Sequence, residues 1–212
     1  MKFYMAPGSC TTGIHILLEE LDLVFEVIII SLPSGEHLRE EFTNINPKSS
    51  IPVLVTNENL VLTEFSAIAY WLARRYPRAN FLPTDIDGEV KVLEVMAYII
   101  DTIHGQGFSR LFVTENYTTN TKEHDSVIHK GHQIINKAFS VIENLFGDNE
   151  YIAGKFSIAD AALFYVAFWA DKLDMDLPPA CKAHYVRMLS RPAVQRVLME
   201  EGYHSVIRKY VA

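Results

Sequence analysis

Apolar and polar positions alternate over residues 2–5, break at Pro7 and Gly8, and resume at helical spacing in Ile14, Leu17, Leu18 and Leu21. Alternation predicts a strand and the i, i+3, i+4, i+7 spacing an amphipathic helix. Side chains switch faces at every residue of a strand but share a face every three to four residues of a helix. Residues 25–32 are almost continuously apolar and rich in β-branched side chains, the pattern of a strand buried on both faces of a sheet. Together these segments predict a β-α-β crossover with a thiol, Cys10, at the start of its helix.

Residues 33–46 are polar, with at most a short helix near 38–42, and lead to Ile51-Pro52-Val53-Leu54-Val55. A proline at the mouth of a short β-branched strand is tolerated because a strand start needs no ladder donor there. With a cis Ile51–Pro52 bond, the turn presents the Ile51 amide and carbonyl to an outside peptide instead of a sheet neighbour. A hairpin partner at 60–62 follows, and then Thr63-Glu64 opens a helix over 64–76 that buries Phe65, Ile68, Ala69, Leu72 and Tyr76 along one stripe. The first-turn amides and dipole of that helix suit a carboxylate. A strand edge beside a helix N-terminus makes a ledge for a peptide.

After Pro77 the pattern changes. Residues 79–87 carry no periodicity and read as a linker between an α/β domain over 1–78 and an all-α domain over 88–212. Helices are predicted over 88–113, 122–146, 157–173, 179–190 and 192–201, with no strand pattern among them. Ser157-Ile158-Ala159-Asp160 reads as a capping box with a structural role.

Composition narrows the function. The 212 residues are 49% hydrophobic and 21% charged, enough apolar material for a globular core. A net charge of −7 without any Lys or Arg run gives no footprint for nucleic acid. No secretory leader pattern and no apolar run of membrane-spanning length is present, so a cytoplasmic protein is the expectation. Cys10 and Cys181 lie far apart, which argues against a disulfide framework. Without paired Cys or His spacing, it also argues against a structural zinc site, so no metal is expected.

Cys10 is the first candidate for chemistry, because the positive end of a helix dipole favours a thiolate. The competing reading is a buried, inert cysteine. Cys10-Thr11-Thr12-Gly13 lacks a second thiol, so any disulfide formed there is mixed, with an external partner. His104 continues the stripe Leu93, Ala97, Ile100 and is followed by Gly105 and Gly107, which weaken a helix and imply that something approaches closely. The alternative is a core histidine bonded to a carbonyl. His15 reads as a packing or capping residue, and Tyr4 and Ser9 are reserve hydroxyls near the ledge.

In order along the chain stand Met1-Lys2-Phe3-Tyr4, Ala6-Pro7-Gly8-Ser9-Cys10, His15, Asn46-Pro47-Lys48, Ile51-Pro52-Val53-Leu54, Leu62-Thr63-Glu64, Ala67-Ile68 and Phe156-Ser157-Ile158-Ala159-Asp160-Ala161. In combination they resemble the cytosolic glutathione transferases, most closely the bacterial beta class. The resemblance implies a thioredoxin-like N-terminal domain with Pro52 cis, an all-helical C-terminal domain and a homodimer. It also implies glutathione as co-substrate, held through the Ile51 backbone beside Pro52 and at its γ-glutamyl end by Glu64 and Phe65. The cysteine matching Cys10 then faces the glutathione sulfur, with the histidine matching His104 near the thiol. Two departures stand out: Phe65 replaces a small or hydroxyl residue, and Ala97 stands where beta-class members often carry an Asn. In addition, the Gly-Gln-Gly-Phe segment after His104 is one residue longer than usual.

The activity so implied is detoxifying conjugation of the glutathione thiolate to a hydrophobic electrophile, thiol-disulfide exchange through Cys10, or both. The alternative is a non-catalytic member of the fold serving protein interaction or regulation, a reading that Phe65 and Ala97 favour.

Overall fold

In the computed structural model, which describes residues 1–211, the chain divides into two compact units. One contains Met1–Phe81 and the chain from Val186 onward; the other is Leu82–Tyr185. The first boundary falls inside the predicted linker. The last helices, expected to belong to the helical domain, instead pack with the first unit.

In the first unit, β1 (Lys2–Met5), α1 (Thr11–Glu20) and β2 (Glu26–Ile29) form the predicted crossover, with β1 and β2 parallel. The short helix α2 (Glu40–Thr43) precedes β3 (Val53–Val55) and β4 (Val61–Thr63), an antiparallel hairpin, and α3 (Phe65–Arg75) follows. The sheet runs β2-β1-β3-β4. Register sorts its two faces. Phe3 opposes Leu54, and the Phe3 ring lies 6.0 Å from the ring of His15 on α1. Tyr4 opposes Val53 and packs with Ile28, Ile30 and Phe42 of α2 on the other face. The first-unit helices α9 (Pro192–Glu200) and α10 (His204–Val211) complete this unit, with α9 packed on α1. The sequence reading stopped at residue 201 and missed α10.

The expectation for residues 25–32 needs correction. β2 is only Glu26–Ile29, and Val27 and Ile29 are 41% and 61% exposed. Its position at the sheet edge leaves its apolar side chains without the second layer that covers β1 and β3.

In the second unit, α7 (Ile158–Lys172) is buried from Ile158 through Ala170. A helix that is apolar all round is a central helix, and α4 (Ile86–Tyr98) packs against it through the stripe Val92, Val95, Met96. The single helix predicted over 88–113 is interrupted. Between α4 and α5 (Ser109–Phe112) the chain widens into a π-helix, Ile99–Phe108. Such wide turns are uncommon inside helices and recur at functional sites. Wide turns displace carbonyls, and side chains recover them: the Ser109 hydroxyl and Tyr117 donate to the Gly105 carbonyl, and Arg110 donates to that of Gln106.

The long helix α6 (His124–Phe146) packs on the π-helix, and glycines set the distance. A Cβ on Gly107 would come within 2.6 Å of Ile135 Cγ1, and one on Gly131 within 2.4 Å of Leu111 Cδ1 and 3.0 Å of the Gly107 carbonyl. The close approach inferred for Gly107 is therefore to α6.

The capping box forms at the start of α7: the Ser157 amide and hydroxyl donate to Asp160 at 2.8 and 2.7 Å. Its other carboxylate oxygen accepts from the Ile152 amide and lies 3.0 Å from His184 Nε2, near the C-terminal end of this unit on α8 (Pro179–Leu189). Asp160 and His184 are fully buried, so the cap is also the hub that ties a loop and a second helix to α7.

Gly131→Ala overfills the contact between α6 and the π-helix. It is expected to destabilise the protein by about 1–3 kcal/mol, read as a lower urea midpoint with an unchanged slope.

Candidate active site

The ledge predicted from the sequence is present in the first unit. The Ile51–Pro52 bond is cis. Cys10 caps α1, is 8% exposed, and directs its Sγ to the Ile51 carbonyl at 3.8 Å. The thiol and the backbone of the strand mouth, 41 residues apart in sequence, are thus neighbours.

Glu64 sits at the N-cap of α3 with φ 72° and ψ 132°. A non-glycine residue held there costs about 1–3 kcal/mol and persists only where its surroundings fix it. Lys48 holds its side chain, with Nζ 2.7 Å from Glu64 Oε1 and 2.8 Å from Thr63 Oγ1. Both members of this pair are more than half exposed, so the carboxylate faces solvent at the positive end of α3. The ring of Phe65 lies on the buried stripe predicted for this helix. It is buried at 5% exposure, so it belongs to the core, and what position 65 offers at the ledge is its backbone.

The loop bearing Cys10 is held from below. Thr11 Oγ1 donates to the Ala6 carbonyl at 3.0 Å and accepts from the Ala6 amide at 3.3 Å, while Ser9 Oγ lies 2.8 Å from Thr11 Oγ1. Glu201, at the end of α9, supplies the strongest tie. Its Oε2 accepts from the Gly8 amide and the Thr12 hydroxyl, both at 2.7 Å, and its Oε1 lies 2.9 Å from His15 Nδ1. Sequence reading missed Glu201. The available signal was local: Glu200-Glu201 ends a helix, where the dipole disfavours a carboxylate unless other donors meet it. His15 does pack as expected, at 1% exposure, and Tyr4 is spent on the α2 side of the sheet.

Electrostatics correct the expectation for the thiol. Burial pushes Cys10 up to about 12, outweighing hydrogen bonds from its own amide, Ser9 and Thr11 that act the other way. At neutral pH Cys10 is a thiol, a hydrogen-bond donor, and not a poised thiolate. Cys181 in the second unit is also raised by burial and lies 3.7 Å from the Phe139 carbonyl.

In the second unit His104 lies on the π-helix, on a half-exposed face with Ala97 and Ile100 and not in the core. Its Nδ1 is 3.2 Å from the Tyr165 hydroxyl, and its ring stands perpendicular to that of Trp169 at 4.9 Å. Burial lowers its pKa to about 4, so the imidazole is neutral at pH 7. Phe108, Phe112 and Trp169 join it in one aromatic cluster, in which Phe112 remains 48% exposed. That arrangement offers an apolar wall with one polar edge.

Comparison with known proteins places both units. Residues 8–75 match the family model for the glutathione S-transferase N-terminal domain, and residues 99–192 that for the C-terminal domain. The chain is 31% identical over 210 residues to glutathione S-transferase GstA of Escherichia coli O157:H7, covering 95% of this chain and 99% of that one. It is 26% identical over 219 residues to the disulfide-bond oxidoreductase YfcG of Escherichia coli K12, covering 94% and 95%. Among solved structures, a glutathione transferase homologue from Sulfitobacter with bound glutathione superposes with a TM-score of 0.88 at 23% identity, over 94% of this chain and 97% of that one.

A thiol titrating near 12 is expected to react slowly with iodoacetamide. The rate of Cys10 labelling, followed by mass spectrometry, should rise about tenfold per pH unit with no plateau below about pH 11, and stay far below that of a free thiol between about pH 7 and 9. The sign for stability follows: the folded state keeps its proton where the unfolded chain has lost it, so stability falls as pH climbs from the unfolded thiol value toward about 12.

Proposed function

The chain belongs to the glutathione S-transferase family, and from that premise we propose that it is a beta-class-like transferase that binds glutathione on the ledge of its first unit and conjugates it to hydrophobic electrophiles. The observation that carries this reading is the strained Glu64 at the start of α3, its carboxylate exposed beside Lys48. In this reading the carboxylate takes the γ-glutamyl ammonium, the α3 amides take the γ-glutamyl carboxylate, and the Ile51 backbone beside cis Pro52 pairs with the tripeptide.

The role of Cys10 follows from its protonation. A buried S–H donates a hydrogen bond to the glutathione sulfur and stabilises that sulfur as a thiolate; it is a poor nucleophile toward a disulfide. Conjugation is therefore favoured over exchange, although the similarity to a disulfide-bond oxidoreductase keeps exchange as the second reading. The aromatic cluster of the second unit is an apolar surface with one polar edge, His104. His104 there is a neutral imidazole hydrogen-bonded through Nδ1 to the Tyr165 hydroxyl. Assembly is the homodimer implied by the resemblance. Its interface includes the second face of α3, where Ala67 and Tyr70 are exposed and Trp71 is half-buried.

Glu64→Ala is expected to weaken glutathione binding at least about tenfold by calorimetry with the fold intact, the loss of one charge-assisted contact. Unchanged affinity, together with failure of the native protein to stay on immobilised glutathione, would move the non-catalytic reading ahead.

Cys10→Ser retains a hydroxyl donor and is expected to keep most conjugation, whereas Cys10→Ala lowers kcat/KM by about tenfold or more. Light scattering at micromolar concentration is expected to give a dimer, and a monomer would remove the interface assigned to α3.

A further inference from the structure

The buried side of α1 holds a second group of polar side chains that glutathione chemistry does not use. His15 Nδ1 faces Glu201, whose carboxylate accepts hydrogen bonds, so Nδ1 carries the ring proton in the neutral imidazole. The other ring nitrogen, Nε2, is then a bare lone pair. It is buried, finds no hydrogen-bond donor, and is aimed at the Glu200 carboxylate 3.2 Å away. Glu19, one helical turn further along α1, brings a third ligand atom. One donor atom from each of His15, Glu19 and Glu200 lies within 4.8 Å of the others.

A buried ring nitrogen without a hydrogen-bond partner, set against Glu200 and clustered with Glu19, is an arrangement that a cation resolves. We infer that His15, Glu19 and Glu200 form a binding site for a divalent transition-metal ion of the zinc class. One imidazole and two carboxylates are a ligand set such ions accept, and the open positions are left to water. Glu201 behind Nδ1 completes a carboxylate–histidine–metal arrangement, which fixes the tautomer and raises the basicity of Nε2. Donors about 2.1 Å from one tetrahedral ion lie about 3.4 Å apart, so the widest pair of the cluster must close by up to about 1.4 Å. Glu200, 56% exposed at its side chain, is free to make that adjustment. The competitor is Arg196, whose Nε lies 2.9 Å from one oxygen of Glu19.

The sequence argued against a zinc site because no paired Cys or His spacing exists. Here the ligands come from α1 and α9, far apart in sequence, and the ion braces the start of the chain to its end within the first unit. The inference stands apart from the assignment of the glutathione ledge.

The test is calorimetric titration of the chelator-stripped full chain with zinc chloride, paired with thermal unfolding. One zinc per chain is expected, with a melting temperature that rises as zinc is added. Glu200→Gln and Glu19→Gln, both at partly exposed positions, are expected to lower the affinity by roughly tenfold or more and to abolish the melting shift. His129→Gln with His132→Gln on α6, the control for adventitious surface binding, should leave both unchanged. Absence of binding at about 100 μM free zinc, zinc binding indifferent to Glu200→Gln, or binding lost in the α6 control would each overturn the site.

Discussion

A carboxylate buried at residue 201 is the constraint on which the first unit rests. Its side chain is 1% exposed, and an ionised group so placed survives only when its lone pairs are met. Three groups meet them: the Gly8 amide, the Thr12 hydroxyl and His15 Nδ1, all from the loop and helix that carry Cys10. Removing one partner of such a buried network costs about 3–5 kcal/mol, a large share of a domain's stability. The geometry of the thiol loop is therefore decided from the far end of the chain. The second unit repeats the device with Asp160, which gathers the Ser157 cap, the Ile152 amide and His184 around one buried carboxylate.

The thiol itself shows two opposed effects of one position. The end of a helix favours negative charge by about 0.3–1 kcal/mol, whereas burial has moved Cys10 ionisation to about 12, which corresponds to several kcal/mol. Burial wins by magnitude. A site that keeps its own thiol protonated is equipped to stabilise another molecule's thiolate, which is the logic of conjugation.

The π-helix carries His104 of the second unit. The half-buried His104 keeps to the face of Ala97 and Ile100, beside Tyr165 and Trp169, while Gly107 lets α6 approach the π-helix closely. Burial holds the imidazole neutral, so its polar edge carries no charge at pH 7.

The order of elements was legible in the sequence. Period-two and helical spacings gave β1, α1, the β3–β4 hairpin, α3 and the helices of the second half up to α9, and the Ser157 box was visible as a motif because its partners lie three residues apart. Cys10, Pro52 and Glu64 could be singled out for the same reason: each is an anomaly within its own local pattern. Long-range packing decided the rest. The edge position of β2 exposed a strand whose composition reads as buried. The end of the chain joined the first unit because Glu201 finds its donors there, and the protonation of Cys10 and His104 was set by burial. Local sequence records which faces are apolar. It does not record which distant residue will cover them, and solvent exclusion, which fixes a buried charge or pKa, exists only once that cover is in place.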